Sequence, residues 1–341
     1  MAALNPKRAR ILMGGLIAAG VVFTVLVLAL DEDGRPGFPA GIRLPVQTAE
    51  GASWSPDGRW VAIPNRAGVL LRAADGSTVR QLRAPRTPRY RGSIPGRIGW
   101  SRDGERLRYV TTVGPKEGEG AWVTEVPAGG GAASQRALGT KVDSADWAPR
   151  GWPLVYAPAA GGGIWSLSSF DGRPEKLLDR PGREGRPQIS PDGTRILFTL
   201  SRDGKGQELW IARADGTAPR RLTDPYLYVD YSWAPNSRRL AIIGPPARSN
   251  GASRLFVVAA RNGDLRALPA PLVAFGGPAW TPGGRWITYA TTEGRIKKVR
   301  PDGSETRELA DFPGERVRDL LWSPNGRKLA YSSAELPEES D

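Results

Sequence analysis

The chain has 341 residues, 40% of them hydrophobic, with 43 Gly, 31 Pro, 12 Trp and a formal charge of +13. It contains neither Cys nor His, which excludes disulfides, thiol nucleophiles, lipid-modified cysteine, His-based triads and His-ligated zinc or haem. Carboxylate chemistry stays open, and so many helix breakers without a collagen period point to short strands joined by tight turns.

Residues 1–10 carry Lys7, Arg8 and Arg10, and residues 11–30 (ILMGGLIAAGVVFTVLVLAL) carry no charge. Twenty helical residues span about 30 Å, the thickness of a bilayer core. With cations before the segment and Asp31, Glu32 and Asp33 after it, the positive-inside rule places residues 1–10 in the cytoplasm and the rest outside. The segment is therefore expected to be an uncleaved transmembrane signal-anchor helix. The rival is a leader cleaved after Ala29, but signal cores run to about 7–15 residues, shorter than this stretch. Residues 31–41 (DEDGRPGFPAG) read as a short linker. Three of the +13 charges precede the anchor, which leaves +10 (13 − 3) beyond it, and Arg outnumbers Lys by 40 to 8. Such an excess fits either an anionic partner or an Arg-rich genome composition.

From residue 42 to 333 a repeat takes over. Its copies include ASWSPDGRWVAI (52–63), PQISPDGTRILF (187–198) and LLWSPNGRKLAY (320–331). The anchors are Trp54, Trp100, Trp147, Ile189, Trp233, Trp280 and Trp322, spaced by 46, 47, 42, 44, 47 and 42. A 42–47-residue period with a Trp anchor is the mark of a propeller blade. Each anchor ends a first strand. The turn after it uses Pro to preset φ, Asp to bond its own backbone and Gly to accept positive φ. An alternating second strand follows. Most copies then show an apolar strand, Asp-Gly or Asn-Gly, and a basic stretch ending in Leu, as in LWIARADGTAPRRL (209–222). That is a hairpin of third and fourth strands, and four antiparallel strands per period make a blade.

These copies, SPDGTRILF and LWIARADGTAPRRLTDP above all, resemble the repeat of the TolB family, which also occurs in propellers of prolyl-oligopeptidase-like enzymes. The resemblance covers about residues 50–332. It implies an all-β propeller and protein partners within an envelope complex. TolB carries an α/β domain before a propeller that is usually six-bladed. Here a membrane segment stands in its place, and seven anchors favour seven blades over six. The last copy ends near Ser333, and the acidic tail 334–341 is too short to add two strands. GIRLPVQT (41–48) is therefore expected to add a strand to the last blade and join the two ends of the ring.

Up-and-down topology puts the Ser-Pro-Asp-Gly and Asp-Gly turns on one face. The longer second-to-third and blade-to-blade loops lie on the other, where function tends to reside. The loop LRAPRTPRYRGSIPGR (82–97) holds Arg83, Arg86, Arg89, Tyr90, Arg91 and Arg97 and no acid, a composition suited to anionic or aromatic ligands. TDPYLYVDYS (223–232) gathers Tyr226, Tyr228 and Tyr231, a residue type enriched at interfaces. Arg86, Arg89, Tyr90, Arg91, Tyr226 and Tyr228 are the candidate partner-binding residues. The anchors read as packing residues, and the turn residues Asp57, Asp103 and Asp192 as turn chemistry rather than metal ligands.

No acid stands out where one copy departs from the others, so no catalytic residue, cofactor or metal is expected. The favoured function is a non-catalytic protein-binding or scaffold module in the cell envelope, on the outer side of the cytoplasmic membrane. Two alternatives stay open: a sensor of anionic wall polymer, lipid or small ligand, and a hydrolase or lyase working with carboxylates in the central channel. Nucleic acid is not an expected partner.

Overall fold

The computed structural model describes residues 27–29, 43–44, 51–65, 67–83, 96–113, 120–149, 151–202, 206–225, 230–245, 253–270 and 276–335. Every regular element among them is a strand. Residues 53–83, 99–137, 142–178, 183–221, 230–267 and 279–311 form six blades, each a sheet of four consecutive antiparallel strands. First strands of neighbouring blades touch one another, whereas fourth strands such as Val79–Arg83 and Leu265–Ala267 carry mostly exposed residues. First strands are therefore innermost, around the axis, and fourth strands form the rim.

The seventh anchor does not head a seventh blade of this kind. Glu315–Trp322 and Lys328–Glu335 pair as first and second strands, and the free edge of the second is met by two short pieces from the N-terminal side. Val27–Ala29 pairs with it antiparallel, and Arg43–Leu44 pairs with it parallel. The strand expected from 41–48 is thus present as two residues. The sequence-level count of seven blades becomes six complete blades and one composite closing sheet. The second strand of that sheet also runs to Glu335, two residues past the boundary expected for the acidic tail.

Val27–Ala29 falls inside the segment expected to be a helix through residue 30, and these three residues are extended. The remainder of that segment and most of the 31–41 linker lie outside the described residues. Among the described residues no helix is long and apolar enough to cross a membrane.

The apolar core is distributed between sheets rather than within them. Leu197, Leu209 and Ile211 of blade 4 pack on Tyr231, Trp233 and Leu240 of blade 5. Tyr289 and Ile287 of blade 6 meet Ala241 and Leu255 of blade 5. The closing sheet joins both ends of this series. Its Val317, Leu329 and Tyr331 pack on blade 6, and its Ala330 and Leu321 pack on Trp54, Val61 and Ile63 of blade 1. Each such fully buried aliphatic side chain contributes about 1.5–3 kcal/mol of transfer free energy.

The turn chemistry explains why the copies fold alike. Ser55 Oγ donates to Asp57 Oδ1 (2.5 Å) and accepts the Trp60 amide (2.9 Å), while the Arg59 amide donates to Asp57 Oδ1 (3.0 Å). Gly58 closes the turn at φ 69°, a conformation that favours glycine. Ser101 with Asp103, Ser190 with Asp192 and Ser323 with Asn325 repeat the pattern. The Ser101 hydroxyl holds the Asp103 carboxyl below its ordinary range.

Each anchor reaches back to the preceding sheet. Trp54 Nε1 donates to the Leu321 carbonyl (3.0 Å), Trp100 Nε1 to Ser53 Oγ (3.0 Å) and Trp322 Nε1 to Thr288 Oγ1 (2.9 Å). The Trp147 ring lies so close over Gly99 that a Cβ there would sit 2.5 Å from it. Trp233 Nε1 and Trp280 Nε1 are buried without a partner.

Arginine tightens the rim. Two residues before the buried Leu that lies in or just after each fourth strand stands a cation: Arg80, Arg136, Lys176, Arg220, Arg266 and Arg307. Arg80 Nη1 donates to the Ala128 carbonyl (2.6 Å), Arg136 Nη1 to Phe170 O (2.6 Å) and Arg220 Nη2 to Ala260 O (2.5 Å). Each bond crosses to the outer turn of the next blade. Part of the arginine excess is therefore structural.

The anchors separate two outcomes. Trp54→Phe and Trp233→Phe lose similar buried ring volume, but only the first also loses a hydrogen bond, to the Leu321 carbonyl, so Trp54→Phe is expected to cost about 1 kcal/mol more than Trp233→Phe. Urea unfolding of the two variants checks this, and an equal cost for both would contradict the bonding pattern.

Candidate functional site

The residue three before each anchor differs from copy to copy: Gly51, Arg97, Ser144, Arg186, Asp230, Gly277 and Asp319. All stand on, or at the entry to, innermost strands, so this ring surrounds the axis on the side where the long loops enter. Charge concentrates at blades 2 to 5. Arg186 is its centre. Its backbone is left-handed at φ 49°, a conformation costing about 1–3 kcal/mol for a side chain of this size and worth tracing to a purpose. The strain coincides with a register shift between Gly185 and Gln188 in the first strand of blade 4, Arg183–Ile189.

Blades 3 and 5 hold Arg186 in this state. Its amide donates to Ser144 Oγ of blade 3 (2.8 Å). Its carbonyl accepts the Tyr231 hydroxyl of blade 5. Its guanidinium donates to Asp230 Oδ1 of blade 5 (2.5 Å) and lies 5.5 Å from the centre of the Tyr231 ring. Nearer the mouth, Arg183 Nη2 reaches Asp143 Oδ1 (3.4 Å) and the Ala159 carbonyl (3.3 Å).

Beneath this pair sits a buried acid. The residue just before each anchor is Ser53, Gly99, Asp146, Gln188, Ser232, Ala279 or Leu321, and Asp146 is the one charge in that series. It is 4% exposed. Its neighbour in the next blade is Ile189, the one anchor that is not Trp. The smaller side chain leaves room for the carboxylate, whose Oδ2 accepts the Ile189 amide (2.9 Å). Arg97 Nε stands 3.8 Å from Oδ1. Burial pushes the Asp146 carboxyl above its ordinary range, against the pull of the Arg97 guanidinium and the Ile189 amide. Burial likewise pushes the Tyr231 hydroxyl up, so that phenol is a neutral donor at any physiological pH.

The expectation that no acid marks a departure between copies is therefore corrected. Asp146 is such an acid, visible once the copies are aligned one residue upstream of the anchor. Arg186 could have been found the same way, two residues further up. Of the sequence-stated loop residues, Arg97 and Tyr231 enter this cluster and Arg83 is exposed at the end of the last strand of blade 1. Arg86, Arg89, Tyr90, Arg91, Tyr226 and Tyr228 lie outside the described residues.

A second concavity, about 500 Å³, opens between blades 1 and 2 beside Trp60, Arg80 and Glu105. Its cation is already engaged, since Arg80 binds the Ala128 carbonyl and stacks 5.4 Å over Trp60. Among the described residues no three carboxylates converge as metal ligands.

The cluster offers alternating positive and negative groups around one opening, on a rigid frame. That arrangement recognises polar, extended or charged surfaces. Asp146, being nearly solvent-free, positions Ile189 and Arg97 rather than meeting a ligand directly.

The sign of the Asp146 effect is testable. A carboxyl with a raised folded-state pKa contributes stability fully present below its unfolded value and lost as pH rises through the folded value. Asp146→Asn keeps an acceptor for Ile189, so its stability relative to the native chain should increase as pH climbs through and above the ordinary carboxylate range. Urea midpoints from pH 3 to 8 measure this, and a difference independent of pH would contradict it. Asp146→Ala, which leaves the Ile189 amide unpaired, should cost about 1–3 kcal/mol.

No protein-family model matches the chain. The Agrobacterium fabrum protein Atu1656 is 28% identical over 291 residues, spanning 83% of each chain. The Tol-Pal system protein TolB of Anaeromyxobacter dehalogenans is 30% identical over 173 residues, which is 48% of this chain and 37% of TolB. A Bacillus subtilis protein named as the uncharacterised peptidase YuxL is 27% identical over 155 residues, 42% of this chain and 22% of YuxL. The chain thus spans well under half the length of the curated TolB and peptidase relatives.

Among solved structures, putative TolB from Agrobacterium tumefaciens superposes with a TM-score of 0.57 at 20% identity, over 93% of this chain and all of that one. An oligogalacturonate lyase in complex with manganese superposes at 0.59 with 12% identity, over 87% and 93%. At such identities the superpositions speak for the fold alone. The superpositions show a β-propeller, and the sequence matches show that its repeat is similar to that of TolB.

Proposed function

We propose that the chain is a non-catalytic protein-binding propeller of the cell envelope, held on the outer side of the cytoplasmic membrane by its N-terminal apolar segment. The observation that carries the reading is the charged cluster at Arg186. Blades 3 and 5 both bond one strained residue at the channel mouth, and among the described residues no partly exposed acid is paired with a nucleophile there. Rigid, pre-positioned charges of both signs give specificity and orientation in a protein interface. The likeness to TolB, a protein named for the Tol-Pal system, supports a protein partner. The apolar segment 11–30 with its preceding cations supports the membrane tether.

Catalysis is the competing reading, because the relatives include a named peptidase and the structural neighbours a lyase. Here the two acids whose carboxyls burial pushes up, Asp146 and Glu184, are both buried, which favours binding over turnover.

In the native membrane, in vivo crosslinking of the tagged full-length protein followed by mass spectrometry should enrich a discrete envelope protein. Arg97→Glu with Arg183→Glu, at exposed guanidinia of the mouth, should reduce that enrichment at least tenfold while the protein level stays unchanged. Arg86→Glu, Arg89→Glu and Arg91→Glu together test the neighbouring loop in the same way. Recovery of wall polymer or lipid alone, or turnover of an envelope polymer by the purified protein, would contradict the proposal.

A further inference from the structure

In every complete blade with a long second strand, pairing with the third strand follows one rule. The residue six after the anchor opens the second strand and faces the last residue of the third. The pairs are Trp60 with Ala73, Arg106 with Pro127, Arg195 with Arg213 and Arg239 with Ala259. In the closing sheet the residue six after Trp322 is Lys328, and it faces Ala29. Val27–Ala29 therefore occupies the third-strand place antiparallel, in the register of the repeat.

The sequence that follows agrees. Two residues past the third strand, blades 1 and 4 place Asp75 and Asp215, each followed by Gly. Two residues past Ala29 stands Asp31, and after one intervening residue, Glu32, comes Asp33-Gly34-Arg35. An apolar run, Asp-Gly and a basic residue are the signature of the outer hairpin. Among the described residues, the closing sheet meets blade 1 through Ala330 and Leu321.

We infer that the C-terminal end of the apolar N-terminal segment is a working part of the propeller: the outer edge of Lys328–Glu335 is a docking site for Val27–Ala29, which serves as the third strand of the closing sheet. Strand edges left unpaired invite association with other chains, and this segment covers residues 328–330 of the closing sheet's outer edge, next to the two residues that Arg43–Leu44 covers.

The absence of native cysteine makes the test clean. In the full-length chain in its membrane, Ala29→Cys with Lys328→Cys is oxidised with copper phenanthroline. Arg195→Cys with Arg213→Cys, the same register position in blade 4, is the control for folding and for oxidation. The inference predicts an intramolecular disulfide in the first variant to within about twofold of the control, and the same for Val27→Cys with Ala330→Cys. A control that closes while both N-terminal pairs stay open overturns it. So does a mature native chain whose N-terminal mass begins at Leu30, because the docking strand would then have been removed. Both readouts are intramolecular, so they stand or fall separately from the identity of any partner.

Discussion

The Trp54 indole donates to the Leu321 carbonyl across the junction between the closing sheet and blade 1, and the rest of the body depends on what that junction achieves. A single blade is too thin to bury its own side chains. Each blade gains a core by facing a neighbour, so the series is stable only when its last sheet meets its first. The first and last sheets meet through that bond, through Ala330 and Leu321 packed on Trp54, Val61 and Ile63, and through Lys328 Nζ donating to the Ala74 carbonyl (2.8 Å). Lys328 plays at this junction the part that Arg80, Arg136 and Arg220 play at theirs, tying one sheet to the outer turn of the next. At the end of blade 6, Arg307 turns to Glu305 (2.5 Å) and to Trp286 (5.2 Å) of its own blade.

Closure also explains where recognition can be afforded. With the frame held by repeated turns and interblade packing, the inner ring three residues before each anchor is free to vary. Four of its seven members, Gly51, Arg186, Gly277 and Asp319, have left-handed backbone. Two of these are glycines, for which the conformation is natural; Arg186 and Asp319 are held there by neighbours. Ser332 Oγ donates to Asp319 Oδ2 (2.5 Å), while Ser144, Asp230 and Tyr231 hold Arg186. Glycine at such a ring position would relieve the strain but lose the directed charge. The strain at Arg186 is the feature that supports the mouth of blades 3 to 5 as the proposed recognition surface.

The repeat, the turns and the packing role of the anchors were legible in the sequence because each is local chemistry: Ser bonds Asp two residues on, and Gly accepts positive φ in place. The closing strand from 41–48 was also legible, from the missing strands of the last copy, although its parallel direction was not. The cluster at Arg186 was not legible as a cluster. Its members, Arg97, Ser144, Asp146, Arg186, Asp230 and Tyr231, are separated by up to 134 residues (97 to 231) and meet only because the ring brings first strands together. Asp146 was hidden by a subtler effect. Its carboxylate is admitted only because the next anchor is Ile189, so its meaning depends on a pair of departures in adjacent copies. At the end of the apolar segment, Val27–Ala29 was expected as helix and is extended, paired with Lys328–Ala330; hydropathy does not separate the end of an apolar helix from an apolar strand.

Native-state hydrogen exchange of the full-length protein tests the closed ring most directly. If the closing sheet is integral, amides of 329–332 and of 196–200 in blade 4 should open only by global unfolding, with free energies within about 1 kcal/mol of each other, since cooperative units exchange together. Amides of the closing sheet that exchanged through a local opening several kcal/mol cheaper, on the order of fraying termini, would contradict the account and leave the six blades as an open array.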